Sequence, residues 1–120
     1  FNLELVAEFL AAGGHEVVRA ANGLEACPLL DTGSMDVLIT DLHMPGMNGL
    51  DLVRYAQRLP RWVPQILMSG SWSQMERLKA EGLHVFRVRE KPLDPEQLLR
   101  DVEELAHLSL ERARGPHPHD

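Results

Sequence analysis

A single cysteine, Cys27, occurs in the 120 residues, so no disulfide can form within the chain. No His and Asp are arranged near it as a nucleophile's partners would be, and it reads as a small buried residue. Aromatic side chains are few, and Trp62 and Trp72 read as packing residues near loops. No apolar run is long enough to cross a bilayer or act as a signal peptide, which leads to the expectation of a reducing, cytoplasmic setting without a membrane. Positive charge is in deficit, with 12 Lys and Arg against 18 Asp and Glu and a formal net charge of −6. Without a basic stripe to track a phosphate backbone, direct nucleic-acid binding by this segment is not expected.

What is present is an alternation of helix and strand. Leu3, Val6 and Leu10, with Leu5 and Phe9 beside them, recur at helical spacing before Gly13-Gly14. Glu16 to Ala20 reads as a strand, and Asn22 as the cap of a second helix with Glu25 at the reciprocal position, kinked or shortened by Pro28. Asp36 to Asp41 is apolar at its centre without alternation, as a parallel strand covered on both faces would be. The turn-rich Met44 to Gly49 leads to a third helix carrying Leu52, Val53, Ala56 and Leu59, which Pro60 stops. Gln65 to Ser69 is a further strand; a weaker helix with Met75 and Leu78 as its apolar face ends at Gly82. Val85 to Val88 reads as the last strand. Asp94, Pro95 and Gln97 then start a helix with Leu98, Val102 and Leu105 as its seam and Glu96, Asp101, Glu103 and Glu104 as its solvated face. The pattern predicts one α/β domain, residues 1–111, built as a doubly wound open parallel sheet, with 112–120 as a tail or linker. His117 and His119 have a spacing a metal could use, but a Pro-rich tail reads as unstructured.

In such a sheet, ligands bind at the carboxyl ends of the strands. Asp41, Ser69 and Lys91 each close or follow a separate strand, so they should converge at one edge. A carboxylate there can attack phosphorus and form an acyl phosphate, a lysine ammonium can pair with a phosphoryl oxygen, and a serine hydroxyl can donate to another. The residue types therefore point to phosphoryl transfer onto Asp41. His43, two residues later, reads as a solvated loop histidine.

The run Asp41-Leu42-His43-Met44-Pro45-Gly46-Met47-Asn48-Gly49 resembles the phosphoacceptor loop of response regulator receiver domains. Ser69 matches that family's Ser/Thr switch position, and Lys91-Pro92 resembles its lysine and following proline. The resemblance implies a flavodoxin-like fold and a bacterial, cytoplasmic, two-component signalling role. It further implies phosphoryl uptake on Asp41 from a sensor histidine kinase or phosphotransfer protein, and output to an effector domain or protein. The domain would not be an enzyme beyond the family's self-phosphorylation and dephosphorylation. The resemblance also implies Mg²⁺ held by Asp41 and the backbone carbonyl of His43, and it places His43 and Ser71 beside the phosphoryl group as modulators of its lifetime.

Two departures qualify this expectation. The family begins with a strand and an acidic pair that anchors Mg²⁺, whereas Phe1-Asn2-Leu3 resembles the residues leading into the first helix. Neither feature lies in these 120 residues, and Mg²⁺ affinity is expected to fall. The missing strand would lie between Val17 and Ile39; an upstream segment, a strand from a partner chain or a rearranged fold would each account for it, the first being favoured. In addition, Val88 stands three places before the lysine, where the family often has an aromatic residue, and Phe86 lies two residues earlier. A degenerate receiver that binds partners without phosphate is the alternative reading. A phosphatase of the haloacid-dehalogenase type ranks lower, because it needs a second aspartate where His43 stands.

Overall fold

The structure is a computed structural model, and it describes residues 3–112. Helix α1 (Leu3–Ala12) buries Val6, Ala7 and Leu10. Gly14, at a φ of 94°, turns the chain back so that the His15 N–H donates to the Leu10 carbonyl at 3.1 Å. In α2 (Gly23–Asp31) the Asn22 side chain accepts the Glu25 N–H at 2.9 Å, and the Glu25 carboxylate accepts the Ala21 N–H at 2.7 Å. Pro28 sits inside this helix, which still continues to Asp31.

Strand β1 (Leu38–Asp41), which starts two residues later than expected, is followed by helix α3 (Gly49–Arg58) and strand β2 (Gln65–Ser69) as the patterning predicts. Helix α4 (Gln74–Leu83), strand β3 (Arg87–Glu90) and helix α5 (Pro95–Glu111) complete the chain. The strands are parallel in the order β1-β2-β3, with Asp41 opposite Met68 and Ser69 opposite Glu90. The middle strand is buried on both faces, and its alternation divides the core. Ile66 and Met68 pack with Val6 and Leu10 of α1 and Leu98, Val102 and Leu105 of α5. Leu67 faces the other way, with Leu50 and Val53 of α3 and Ala80 of α4, while Ala26 and Leu30 of α2 join Leu52 and Ala56 of α3 nearby. Helices thus cover both faces of an open parallel sheet.

Several expectations are corrected. Residues 16–20 form no strand, and all five are exposed. A strand persists only where its backbone donors and acceptors have a ladder partner, and a groove of about 490 Å³ separates this segment from β1. The segment is tied instead by Arg19 to Glu4 of α1, at 3.0 Å. The last strand lies two residues later than expected, because His84 takes a left-handed φ of 55° and the Val85 N–H closes back on the Ala80 carbonyl. Met75 and Leu78 are 60% and 54% exposed, so α4 buries Ala80 rather than its larger apolar residues. Asp101, read as solvated, is 1% exposed and bound by Arg89 through two hydrogen bonds of 2.7 Å. Arg112, placed in the tail by its sequence, is buried and donates to the Met35 carbonyl at 3.2 Å. The rest of the expected tail, with His117 and His119, lies outside the described residues.

Candidate functional site

Parallel strands end their carboxyl termini on one edge, so Asp41, Ser69 and Lys91 meet there because of chain direction alone. Asp41 is the last residue of β1, Ser69 the last of β2, and Lys91 follows β3 directly. The Lys91 ammonium lies 2.7 Å from Asp41 Oδ1 and crosses above β2 to reach it. Its backbone N–H donates to the Ser69 carbonyl at 2.9 Å, which extends the β2–β3 pairing by one residue. Both side chains keep partial access to solvent, 35% for Lys91 and 20% for Asp41.

Oδ1 itself is shut away from water, and no hydrogen-bond donor is aligned on it. Its contact with Lys91 is therefore Coulombic, with the ammonium near but off the hydrogen-bond direction. A carboxylate at a strand end beside an ammonium can serve as a nucleophile or as a ligand for a hard metal ion. Among the described residues no group of three or more His, Cys, Asp and Glu side chains could hold a metal. At this edge Asp41 supplies one carboxylate, and Mg²⁺ commonly binds through one or two carboxylates with waters and a phosphate.

Ser69 is buried at the same edge, but its hydroxyl is engaged locally. It donates to the Ser71 carbonyl at 2.9 Å and accepts the Ser71 N–H at 3.1 Å, a closed turn beside the Asp41–Lys91 pair rather than part of it. The structure thus brings Asp41 and Lys91 into contact and leaves Ser69 adjacent. His43 and Ser71 are also drawn together: His43 Nε2 lies 3.4 Å from the Ser71 carbonyl and 3.5 Å from the Glu76 carboxylate. Glu76 belongs to the capping box of α4, and the backbone N–H of Ser73 holds its carboxyl below the usual value. His43 therefore bridges the loop after β1 to the start of α4.

Gly49 supports the site in a way its sequence position suggests only as turn chemistry. A β-carbon there would lie 2.3 Å from the Asp41 carbonyl oxygen, 2.7 Å from Leu67 Cδ1 and 2.8 Å from Leu42 Cα. The Gly49 N–H donates to the Leu42 carbonyl at 2.8 Å, so the loop after β1 folds back against its own strand. Gly49→Ala is expected to lower stability by about 2 kcal/mol and to displace Asp41, because the obstructing atoms include backbone. Urea denaturation checks this, and an unchanged midpoint would contradict the close packing.

A family model described as response regulator receiver domain matches residues 1–103. The chemotaxis protein CheY1 of Helicobacter pylori is 35% identical over 94 residues, which cover 76% of this chain and 76% of that protein. The probable transcriptional regulator ycf29 of Porphyra purpurea is 28% identical over 104 residues, 85% of this chain and 50% of that one. The chain spans half or less of the length of several transcriptional regulators that it matches. The CheY-like receiver domain protein of Methanospirillum hungatei has the same fold, with a TM-score of 0.81 at 22% identity over 91% of this chain and 87% of that one.

Proposed function

The chain belongs to the response regulator receiver domain family of two-component signalling, and on that premise we propose that it is a phosphorylation-controlled switch whose phosphoacceptor is Asp41. One observation carries the reading: the Asp41 carboxylate faces the Lys91 ammonium at 2.7 Å across three strand ends.

On this reading a carboxylate oxygen of Asp41 attacks the phosphorus of a phosphohistidine on a sensor histidine kinase or phosphotransfer protein. The P–N bond breaks as the new P–O bond forms, and its electron pair leaves on the imidazole nitrogen, which takes a proton. Lys91 stays beside the phosphoryl oxygens and offsets their charge. Mg²⁺, held by Asp41 and the His43 carbonyl, would supply further charge neutralisation. Ser69 donates to the phosphoryl group once its hydroxyl leaves the Ser71 carbonyl. Later, water attacks phosphorus, releases inorganic phosphate and restores the carboxylate. The chain acts as a substrate of its kinase, in a cytoplasmic setting, and passes the signal to an effector domain or protein.

The proposal is tested by intact mass after incubation with Mg²⁺ and acetyl phosphate. One added phosphoryl group is the expected result, and no adduct on a folded chain would overturn it. That second outcome would favour a phosphate-independent interaction domain, a reading supported by Asp41 having no cluster of further metal-ligating side chains around it among the described residues. His43 supplies a further prediction. Its Nε2 lies between the Ser71 carbonyl and the Glu76 carboxylate, two residues after Asp41 in the chain. His43→Ala is expected to shorten the lifetime of the phosphorylated form several-fold, read as decay of the added mass after donor removal. An unchanged lifetime would remove His43 from this role.

A further inference from the structure

The buried seam of α5 runs through Leu98, Val102 and Leu105, and the same helical spacing carries it on to Ser109 and Arg112, where it turns polar. Both residues meet the backbone just before β1, at the edge of the sheet opposite Asp41. The Ser109 hydroxyl donates to the Asp36 carbonyl, and Arg112 Nη2 donates to the Met35 carbonyl at 3.2 Å. The last turn of α5 thus fastens the entry of the strand that ends at Asp41.

Ser109 is satisfied by this contact, but Arg112 is not. Its side chain is 1% exposed, and Nε and Nη1 are buried without a hydrogen-bond partner. The Asp36 carboxylate stands 3.9 Å from Nη2, too far for a hydrogen bond, and at 55% exposed its charge is diluted by water. Burial and the nearby charge of Arg61 both push the guanidinium pKa down, against the attraction of Asp36. Arg89 shows the usual solution in the same molecule, with two bonds of 2.7 Å to the Asp101 carboxylate. A buried cation without such a partner disfavours the closed arrangement that buries it.

We propose that Arg112 is a releasable clasp and a latent anion site: the last turn of α5 lets go of the entry to β1 when an oxyanion binds the guanidinium. The inference is independent of the phosphoacceptor reading. Opening gives up the bonds to Met35 and Asp36 and returns the charge to water, where all of its N–H donors find partners. Little apolar packing opposes the release, since Leu110 in the same turn is 69% exposed. In the closed state Nε and Nη1 are shut away, so an anion reaches the full guanidinium fork only in the open state and shifts the balance toward it by mass action. A carboxylate fits that planar fork through two parallel hydrogen bonds, which makes an acidic side chain of a partner the natural occupant.

The test is amide hydrogen exchange on the whole chain, in sodium sulfate and in sodium chloride at equal ionic strength, with sulfate as the oxyanion probe. Residues 109–112 are expected to exchange several-fold faster in sulfate, while the Leu38 N–H, which donates to the Pro64 carbonyl within the sheet, does not speed up. Exclusion of sulfate from protein surfaces favours compact states, so a local acceleration has the opposite sign to that general effect. Arg112→Met fills similar space without the charge. It is expected to slow exchange of this turn in both salts, to abolish the difference between them and to raise the urea midpoint. Arg112→Lys keeps the charge and should keep a sulfate response. Equal exchange of the turn in the two salts would overturn the anion site, and an Arg112→Met turn that opens as fast as the parent's, or faster, would overturn the clasp.

Discussion

Asp41→Asn is expected to take up no phosphoryl group from a small donor, at any donor concentration or time. An amide lacks the anionic oxygen that attacks phosphorus, and it ends the ion pair with Lys91 at 2.7 Å. The change is isosteric, and Asp41 retains some solvent access, so the fold should survive it. Lys91→Ala separates the roles: the nucleophile remains, but the cation is gone, and uptake should slow by roughly 10²-fold, the scale for deleting one electrostatic stabiliser. Intact mass reads both, and circular dichroism confirms folding. Uptake by Asp41→Asn at the parental rate would place the acceptor on another residue. A parental rate in Lys91→Ala would mean that the ion pair is structural only.

The convergence of Asp41, Ser69 and Lys91 was legible because it needs only strand direction, and parallel strands announce themselves by apolar runs. Their contacts were not. Whether the Ser69 hydroxyl faces the site or its own turn depends on a torsion, and it bonds Ser71. The strand expected at Glu16 to Ala20 shows a different limit: Val17 and Val18 have strand propensity, but propensity cannot supply the ladder partner that pairing requires. Gly49 announced a turn and concealed a close approach, since a β-carbon's distance to the Asp41 carbonyl is a tertiary quantity. Trp72 was read as packing, which it does, although its bonds to Arg89 and Arg77 depend on how α4 lies against β3. Asp101 offered a signal that charge outweighed: it falls between Leu98 and Leu105 on the buried seam of α5, at a spacing of three and four.

That aspartate carries the second large expectation, a loss of stability in Asp101→Asn. Its carboxylate is 1% exposed and accepts Arg89 Nε and Nη2 at 2.7 Å each and Gln97 Nε2 at 3.2 Å, with Arg87 Nε at 3.6 Å. Burial pushes its pKa up, but the Arg89 hydrogen bonds and charge, with help from Gln97 and Arg87, more than offset this and leave it below the usual value. Removing the anion leaves two guanidinium groups without their shared partner. Breaking a buried pair costs on the order of 3 kcal/mol here, toward the low end because Arg89 is about one-third exposed. The melting temperature should fall on the order of 10 °C. A carboxyl group whose folded pKa is depressed stabilises the protein above its unfolded pKa, about 3.9, and that contribution fades as pH falls through the lower folded value. The gap between parent and Asp101→Asn should thus be constant from about pH 7 to pH 5 and narrow below about pH 4. Urea denaturation across that range measures it. A gap that persists unchanged into strong acid would assign the loss to side-chain packing, and no gap at neutral pH would mean that the pair between α5 and β3 contributes nothing net.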